Sequence, residues 1–317
     1  MCETLYLVIP CFNEEEVLPE TSRRLDLKIR DMIEKKIISE KSKIFFVDDG
    51  SKDNTWEIIK QLHSENELFS GLTLAHNSGE QNAYIAGMMA VKDYADMVIT
   101  MDADLQDDIN AIDKMVNEYY AGNDIVYGVR SSRKKDSFFK KFTARAFYKV
   151  MKTLGTELIP DHSQYRLMSR RAIEALLGYS EVNLFLPALI PLLGFNNSIV
   201  YHERKERFAG ESKYSFWKLL LIFNEAITSF SVKPIHFITG TGFLFLFVSL
   251  CISIYLLIRA IAGEAVGWIL ILASVWAVGG MILLAIGIVG EYIGKTYSEA
   301  KQRPRYIISE SFLDELE

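Results

Sequence analysis

The sequence predicts an α/β domain with a mostly parallel sheet, followed by two apolar helices long enough to cross a membrane. Two observations carry this expectation. Up to about residue 205, short β-rich apolar runs alternate with helix-length segments, the order of right-handed βαβ units whose sheet is covered on both faces. Farther on, residues 234–258, between Lys233 and Arg259, and residues 265–290, between Glu264 and Glu291, contain no Asp, Glu, Lys or Arg. These runs of 25 and 26 positions exceed the ~20 apolar residues that carry a helix across a bilayer core, and the ~10–14 of a buried core helix. The whole chain has 317 residues, half of them hydrophobic, with 35 Lys+Arg against 41 Asp+Glu for a net charge of −6. That composition excludes a disordered chain and a disulfide-stapled mini-protein, and the length suits about two domains.

Taken in order, the strand candidates are residues 5–10, 43–47, 72–75, 97–101 and 125–129, each followed by Gly, Asp or Asn and then a helix-length stretch. Ligands of open parallel sheets bind beyond the carboxyl ends of the strands. The residues expected there are Cys11-Phe12-Asn13-Glu14, Asp48-Asp49-Gly50-Ser51, Asn77-Ser78-Gly79, Asp102-Ala103-Asp104 and Gly128-Val129-Arg130. In Asp102-Ala103-Asp104-Leu105-Gln106, alternate side chains at a strand end share a face and would bring two carboxylates and an amide oxygen around one cation. Such oxygen donors suit Mg²⁺ or Mn²⁺ with positions left for water and phosphate; a solvated turn is the plainer alternative. After the second strand, Gly50 permits a turn and Ser51 or Asp53 can cap the next helix, whereas Asp48 and Asp49 are placed to accept from a base edge or ribose hydroxyls. Glu14, Glu15 and Glu16 suit either a ligand or the positive end of a helix.

Residues 130–152 hold nine Lys/Arg and one acid, Asp136, interleaved with Phe138, Phe139, Phe142, Phe147, Tyr148 and Met151. Basic and aromatic residues in that mixture suit a helix on an anionic lipid surface; nucleic acid is the lesser alternative beside two apolar spans. Residues 213–230 repeat the mixture just before the first span, as an interfacial helix or as packing against the domain. Lys213, Lys218 and Lys233 precede the spans, and Lys295, Lys301, Arg303 and Arg305 follow them, so both termini are expected in the cytoplasm. No signal peptide is expected at the N-terminus. Cys2, Cys11 and Cys251 are expected as free thiols, with no zinc spacing, and the five histidines as structural.

Four ordered motifs carry a resemblance: Val8-Ile9-Pro10-Cys11-Phe12-Asn13-Glu14-Glu15, Val47-Asp48-Asp49-Gly50-Ser51-Lys52-Asp53, Met101-Asp102-Ala103-Asp104-Leu105-Gln106 and Arg207-Phe208-Ala209-Gly210-Glu211-Ser212-Lys213-Tyr214. They closely resemble the membrane-bound polyprenyl-phosphate glycosyltransferases of glycosyltransferase family 2, a group that includes dolichyl-phosphate mannose synthases and bacterial undecaprenyl-phosphate glucosyltransferases. The resemblance continues through Gly290-Glu291-Tyr292-Ile293-Gly294 and Arg303-Pro304-Arg305-Tyr306, essentially the whole chain. It implies a GT-A (Rossmann-like) nucleotide-sugar domain followed by a two-helix transmembrane hairpin. The divisions are a cytoplasmic domain over 1–212, an interfacial helix over 213–232, two spans over 233–293 and a cytoplasmic tail over 294–317, in a multi-pass protein of the bacterial inner (plasma) membrane.

The resemblance further implies that Pro10, Phe12, Glu14 and Asp49 hold the nucleotide, with Asp102 and Ala103 near ribose and diphosphate. Asp104 and Gln106 would ligate Mg²⁺ or Mn²⁺, and Arg207 and Lys213 would close over the diphosphate. Asp107-Asp108 departs from the usual Asp-Pro-Pro, and Ser163-Gln164-Tyr165-Arg166 from Gly-Asp-Phe-Arg, which argues against a general base at Gln164. The expected reaction moves a hexose from a nucleotide diphosphate sugar, UDP-glucose first, to undecaprenyl phosphate, for modification of a cell-envelope glycan. A phosphate monoester with a second pKa of about 6 is mostly dianionic at neutral pH. Catalysis then reduces to positioning and charge, carried by Asp102, Asp104, Arg130 and Arg207, with Arg130, Arg133, Lys141 and Arg145 on the acceptor phosphate. In-line displacement inverts the anomeric carbon. The expected partners are the donor, the lipid phosphate and the bilayer, with no nucleic acid; a homo-oligomer is left open. A processive polysaccharide synthase is disfavoured by the absence of Gln-x-x-Arg-Trp and by too few spans, and a non-catalytic nucleotide-binding scaffold would lack transfer altogether.

Overall fold

The computed structural model describes residues 2–131, 159, 162–181, 185–203, 233–262 and 268–313. Four of the expected strands form close to where the apolar runs place them: β1 (Leu5–Cys11), β2 (Lys43–Asp48), β4 (Met97–Thr100) and β5 (Ile125–Arg130). The third, β3, is Phe69–Leu74, earlier than the expected 72–75, because Ser70 and Gly71 interrupt the apolar run yet lie inside the sheet. Three further strands complete it: β6 (His162–Ser169), β7 (Asn197–His202) and β8 (Ile308–Ser311). The order is β7-β5-β6-β4-β1-β2-β3-β8. β6 runs antiparallel between β4 and β5, and β8 antiparallel along β3, while the remaining pairings are parallel. Six strands therefore send their carboxyl ends to one edge.

Alternation along β1 explains how the sheet is covered. Leu5, Leu7 and Ile9 face a cluster with Leu25, Ile29 and Met32 of α1 (Leu18–Glu34) and Ile112, Met115 and Val116 of α4 (Ala111–Tyr120). Each such side chain contributes roughly 1.5–3 kcal/mol when fully buried. On the other face α3 (Glu80–Val91) lies against β1 and β2 so closely that a Cβ at Gly87 would sit 2.4 Å from Val8 Cγ1 and 2.7 Å from Val47 Cγ2. α2 (Thr55–Glu65) packs Ile59 into the first cluster. Two shorter helices follow, α5 (Arg170–Leu177), capped by the Ser169 hydroxyl on the Ala172 N–H, and α6 (Leu186–Leu192).

The chain divides into two compact units. One is the sheet domain together with the residues after 302; the other contains α7 (Lys233–Ile261) and α8 (Trp268–Lys301). Among the described residues one helical segment, Ser274–Lys301, is long and apolar enough to cross a membrane, with a mean hydropathy of 1.8, and none of its apolar window is buried in the protein. Ile238–Ile252 in α7 is a shorter apolar stretch. α8 continues through Lys301, past the expected end of the second span at 293.

Residues 303–313 then join the sheet domain. The Ala75 N–H donates to the Ile307 carbonyl at 2.8 Å, Phe312 stacks on Trp56 and His63 at ring-centre distances of 5.2 and 4.3 Å, and Arg305 Nη2 donates to the Tyr179 carbonyl at 2.5 Å. β8 thus covers the edge that β3 would otherwise expose.

Candidate functional site

The loops after β1 and β2 are tied together by their own short polar residues. Asn13 takes φ +53°, a left-handed conformation that asparagine tolerates. From there it donates its N–H to Ser51 Oγ at 2.9 Å, and its Oδ1 accepts the Lys52 N–H at 2.9 Å. The Glu14 N–H reaches Thr55 Oγ1 at 2.9 Å, and Glu15 Oε2 accepts the Asn54 N–H and side-chain amide at 3.1 and 2.8 Å. Asp53, expected as a helix cap, accepts the Thr55 N–H at 3.0 Å, whereas Ser51 serves Asn13 instead. Pro10, in β1, Phe12 and Glu14 are half-buried along this seam.

Asp48 and Asp49 belong to the same web, which modifies their expected availability to a ligand. Asp48 accepts from the Thr73 hydroxyl at 2.6 Å and the Ser51 N–H at 3.2 Å. Asp49, 3% exposed, accepts the Ser78 N–H on one oxygen at 2.7 Å and the Gly79 N–H on the other at 3.0 Å. Burial raises its pKa above the usual carboxylate value, and the two amides only partly offset that. The turn between the acids and α2 requires glycine twice over: Gly50 has φ +66°, and a Cβ there would lie 2.6 Å from the His76 carbonyl carbon. The Asp49 oxygens each keep a second lone pair for a ligand, but their first use is to hold the loop after β3.

The loop after β4 is held from a distance. β4 ends at Thr100, and Leu105 takes φ +57°, so the alternation expected of a strand through 102–106 does not hold there. Asp102 and Gln106 are half-buried while Ala103, Asp104 and Leu105 are buried, Asp104 being 7% exposed. Asp102 Oδ1 accepts the Tyr84 hydroxyl at 2.8 Å, the Ala103 carbonyl accepts the Thr21 hydroxyl at 2.7 Å, and Asp104 Oδ1 accepts the Gln106 N–H at 3.1 Å. Among the described residues no group of three or more His, Cys, Asp or Glu forms a cage for a metal ion. The donors present fit one that completes its shell elsewhere: Asp102, Asp104 and Gln106 offer hard oxygens only, the chemistry of a Mg²⁺ or Mn²⁺ site shared with substrate phosphates and water.

Sequence reasoning missed two side chains here, Tyr84 and Arg166. Arg166, 2% exposed, sits in β6 between Thr100 of β4 and Tyr127 of β5. Its Nη2 donates to Gln164 Oε1, and the Gln164 carbonyl accepts the Thr100 hydroxyl at 2.6 Å. Burial lowers the Arg166 pKa, and the nearby carboxylates of Asp102 and Glu80 work against that shift. Tyr84 on α3 is fully buried, and burial together with Asp102 pushes its phenol well up, so it stays a donor at physiological pH. The signal for Arg166 was an arginine in a short run with Tyr165, Leu167 and Met168, legible only once that run is known to be a strand.

His202, the last residue of β7, is buried 3.8 Å from Asp107 Oδ1 with Tyr165 edge-on to its ring, and the Tyr165 hydroxyl donates to the Asp108 carbonyl at 3.2 Å. The departure at Asp107-Asp108 therefore anchors the loop to β6 and β7. Arg130 is the last residue of β5, in register with His202, rather than beyond the strand. It reaches the same edge as Asp49, Asp102 and Asp104. Arg133, Lys141, Arg145, Arg207 and Lys213, with the basic stretch and the interfacial helix, lie outside the described residues. Cys2, Cys11 and Cys251 are free thiols.

Residues 6–177 match the family model for Glycosyl transferase family 2. The chain is 49% identical over 305 residues to the uncharacterized glycosyltransferase YkoT of Bacillus subtilis (strain 168), covering 96% of this chain and 90% of that one. It is 37% identical over 307 residues to the prophage bactoprenol glucosyl transferase homolog of Escherichia coli (strain K12), covering 95% and 97%. Among solved structures, mannosyl-3-phosphoglycerate synthase from Rubrobacter xylanophilus is a distant likeness, with a TM-score of 0.48 at 14% identity over 71% of this chain and 72% of that one.

Proposed function

The chain belongs to glycosyl transferase family 2 and is a glycosyltransferase, and from that premise we propose that it transfers glucose from UDP-glucose to undecaprenyl phosphate, with inversion, at the cytoplasmic face of a bacterial plasma membrane. The observation that carries this reading is the 37% identity to the bactoprenol glucosyl transferase homolog, which runs through the apolar helices as well as the sheet domain. The acids at the carboxyl ends of β2 and β4 support it. The proposed layout keeps a cytoplasmic GT-A domain over 1–212, an interfacial helix over 213–232, two spans over 233–293 and cytoplasmic termini.

In this reading Pro10, Phe12, Glu14 and Asp49 form the nucleotide side, and Asp102 and Ala103 lie along ribose and diphosphate. Asp104 and Gln106 would hold Mg²⁺ or Mn²⁺, which would supply positive charge opposite the departing diphosphate. Arg207 and Lys213 are assigned to the same diphosphate. Arg130 at the end of β5 grips the acceptor phosphate through its planar fork, with Arg133, Lys141 and Arg145 completing the basic lip. No side chain needs to remove a proton, because the acceptor is mostly dianionic near neutrality. Neutral Gln164 agrees with that, since its side chain is used to hold Arg166.

The test is transfer by the purified full-length protein in lipid nanodiscs, given undecaprenyl phosphate, Mg²⁺ or Mn²⁺ and a panel of labelled nucleotide sugars. Labelled lipid should form from UDP-glucose ahead of other donors and should vanish with chelator. Lipid product from another sugar alone would replace the donor, and none from any donor would overturn the reading.

A further inference from the structure

The nucleotide-sugar reading leaves Tyr84 and Arg166 without a part, and both are expensive where they stand. A phenol hydroxyl and a guanidinium in the interior cost free energy that an apolar side chain of similar volume would avoid. Tyr84 is 1% exposed, and its hydroxyl hydrogen-bonds Asp102, 18 residues along the chain, at 2.8 Å. The helix that carries it is seated by Gly87, where no Cβ fits against Val8 and Val47, so the hydroxyl has little freedom to follow a moving loop. Arg166 is equally fixed. β6 holds it between two strands, Gln164 Oε1 accepts from its fork, and the Thr100 hydroxyl fastens Gln164 in turn. Asp102 and Glu80 lie within its electrostatic reach. Asp102 itself belongs to no helix or strand.

We infer that Tyr84 is a positioning residue that braces the Asp102 carboxylate through the hydrogen bond from its hydroxyl, with Arg166 held in β6 as a supporting positioning residue, so that Asp102 keeps its orientation toward the donor nucleotide. The inference rests on the proposed binding of a nucleotide sugar at the ends of β2 and β4. Neither residue touches the substrate in this arrangement; both act through Asp102. The brace belongs to donor recognition and not to the lipid acceptor, because Asp102 lies on the side of the site assigned to ribose and diphosphate.

The experiment is a double-mutant cycle on the full-length protein in nanodiscs, with UDP affinity measured by calorimetry, with and without Mn²⁺, beside the KM values of donor and lipid. Tyr84→Phe keeps the ring in place and removes only the hydroxyl. It should weaken UDP about tenfold, as expected for the loss of a hydrogen bond to a charged group, with the KM for undecaprenyl phosphate within about twofold of wild type. Asp102→Ala should weaken UDP at least as much, and adding Tyr84→Phe to it should cost less than about twofold more, since the hydroxyl then has nothing to orient. Arg166→Lys, which keeps the charge and loses the fork on Gln164, should weaken UDP by a few-fold and shows the same coupling if Tyr84→Phe folds poorly. Additive losses in the double variant, or a lowered Tm with UDP affinity unchanged, would make the pair structural and overturn the inference. A wild-type protein that transfers sugar while Tyr84→Phe and Arg166→Lys bind UDP normally would overturn the brace alone. A wild type that binds no UDP would overturn the functional reading as well.

Discussion

At the amino ends of β4 and β5 the acids are met by arginines, and at the carboxyl ends of β2 and β4 they are met by backbone amides and hydroxyls. Asp96 accepts from Arg170 and from the Thr4 N–H, and Asp124 from Nε and Nη2 of Arg171 and from the Ser169 hydroxyl. Asp49 accepts two backbone N–H groups, Asp102 a tyrosine hydroxyl, and Asp104 the N–H of Gln106. An acid already matched with an exposed cation is part of the architecture. Acids gathered at one edge that accept from amides and hydroxyls place carboxylate oxygens where that edge can serve a cation or a nucleotide's hydroxyls. The chemistry of the sheet is thus asymmetric although the residue type is the same at both ends.

The strongest way to break this contrast is Asp104→Asn. Transfer should fall by about a thousandfold or more while the thermal midpoint stays within ~2 °C, because a charged ligand is lost from a site whose work is charge stabilisation. Near-normal turnover at saturating Mn²⁺ would leave the metal assignment without support. Gly50→Ala should act on the fold instead. Left-handed backbone and a 2.6 Å contact with His76 predict a loss of about 3 kcal/mol or more, read as a drop in the denaturant midpoint; a stable variant would mean the web of loops can relax.

Arg130→Ala comes next. It should raise the KM for undecaprenyl phosphate about tenfold or more, as the loss of a charged hydrogen bond of ~1.5–3 kcal/mol implies, with UDP affinity within about twofold. The reverse pattern would move the acceptor site away from the end of β5. Asp124→Asn at the opposite end is the smallest effect and sharpens the contrast most directly. Arg171 beside Asp124 holds its carboxyl below the usual range, so the folded pKa lies under the unfolded one and the pair stabilises the protein above about pH 4. With the Arg171 side chain 64% exposed, the contribution at pH 7 is roughly 0.5–1 kcal/mol. The difference from wild type should close as pH falls through that lowered pKa, and kcat should not change. A change in kcat would show that the amino ends are not merely structural.

Which parts were legible in the sequence follows from how local their causes are. β1, β2, β4 and β5 are continuous apolar runs, and the acids beyond them stand out because ligands gather at such ends. β6 was invisible because His162, Gln164 and Arg166 break its apolar pattern, and the reason Gln164 and Arg166 are tolerated lies partly on neighbouring strands. β8 was invisible because its partner β3 is more than 230 positions earlier. Asp49 was legible as a candidate, yet its amide partners come from Ser78 and Gly79, in a loop that the pattern places but cannot aim. Tyr84 reads as one more large residue in an apolar helix, and only its contact with Asp102 separates it from the core.

The eighth strand also orders events during synthesis. Residues 308–311 leave the ribosome after α7 and α8 have been made, so the edge of β3, the stacking site on Trp56 and His63, and the N–H of Ala75 all wait for a segment on the far side of the apolar helices. Domains generally fold as they emerge, amino end first, but this sheet cannot close its edge that way. Until residues 308–311 emerge, β3 offers an open row of backbone donors and acceptors. Completion of the sheet is therefore a timestamp: it marks chains in which the apolar helices have already been delivered.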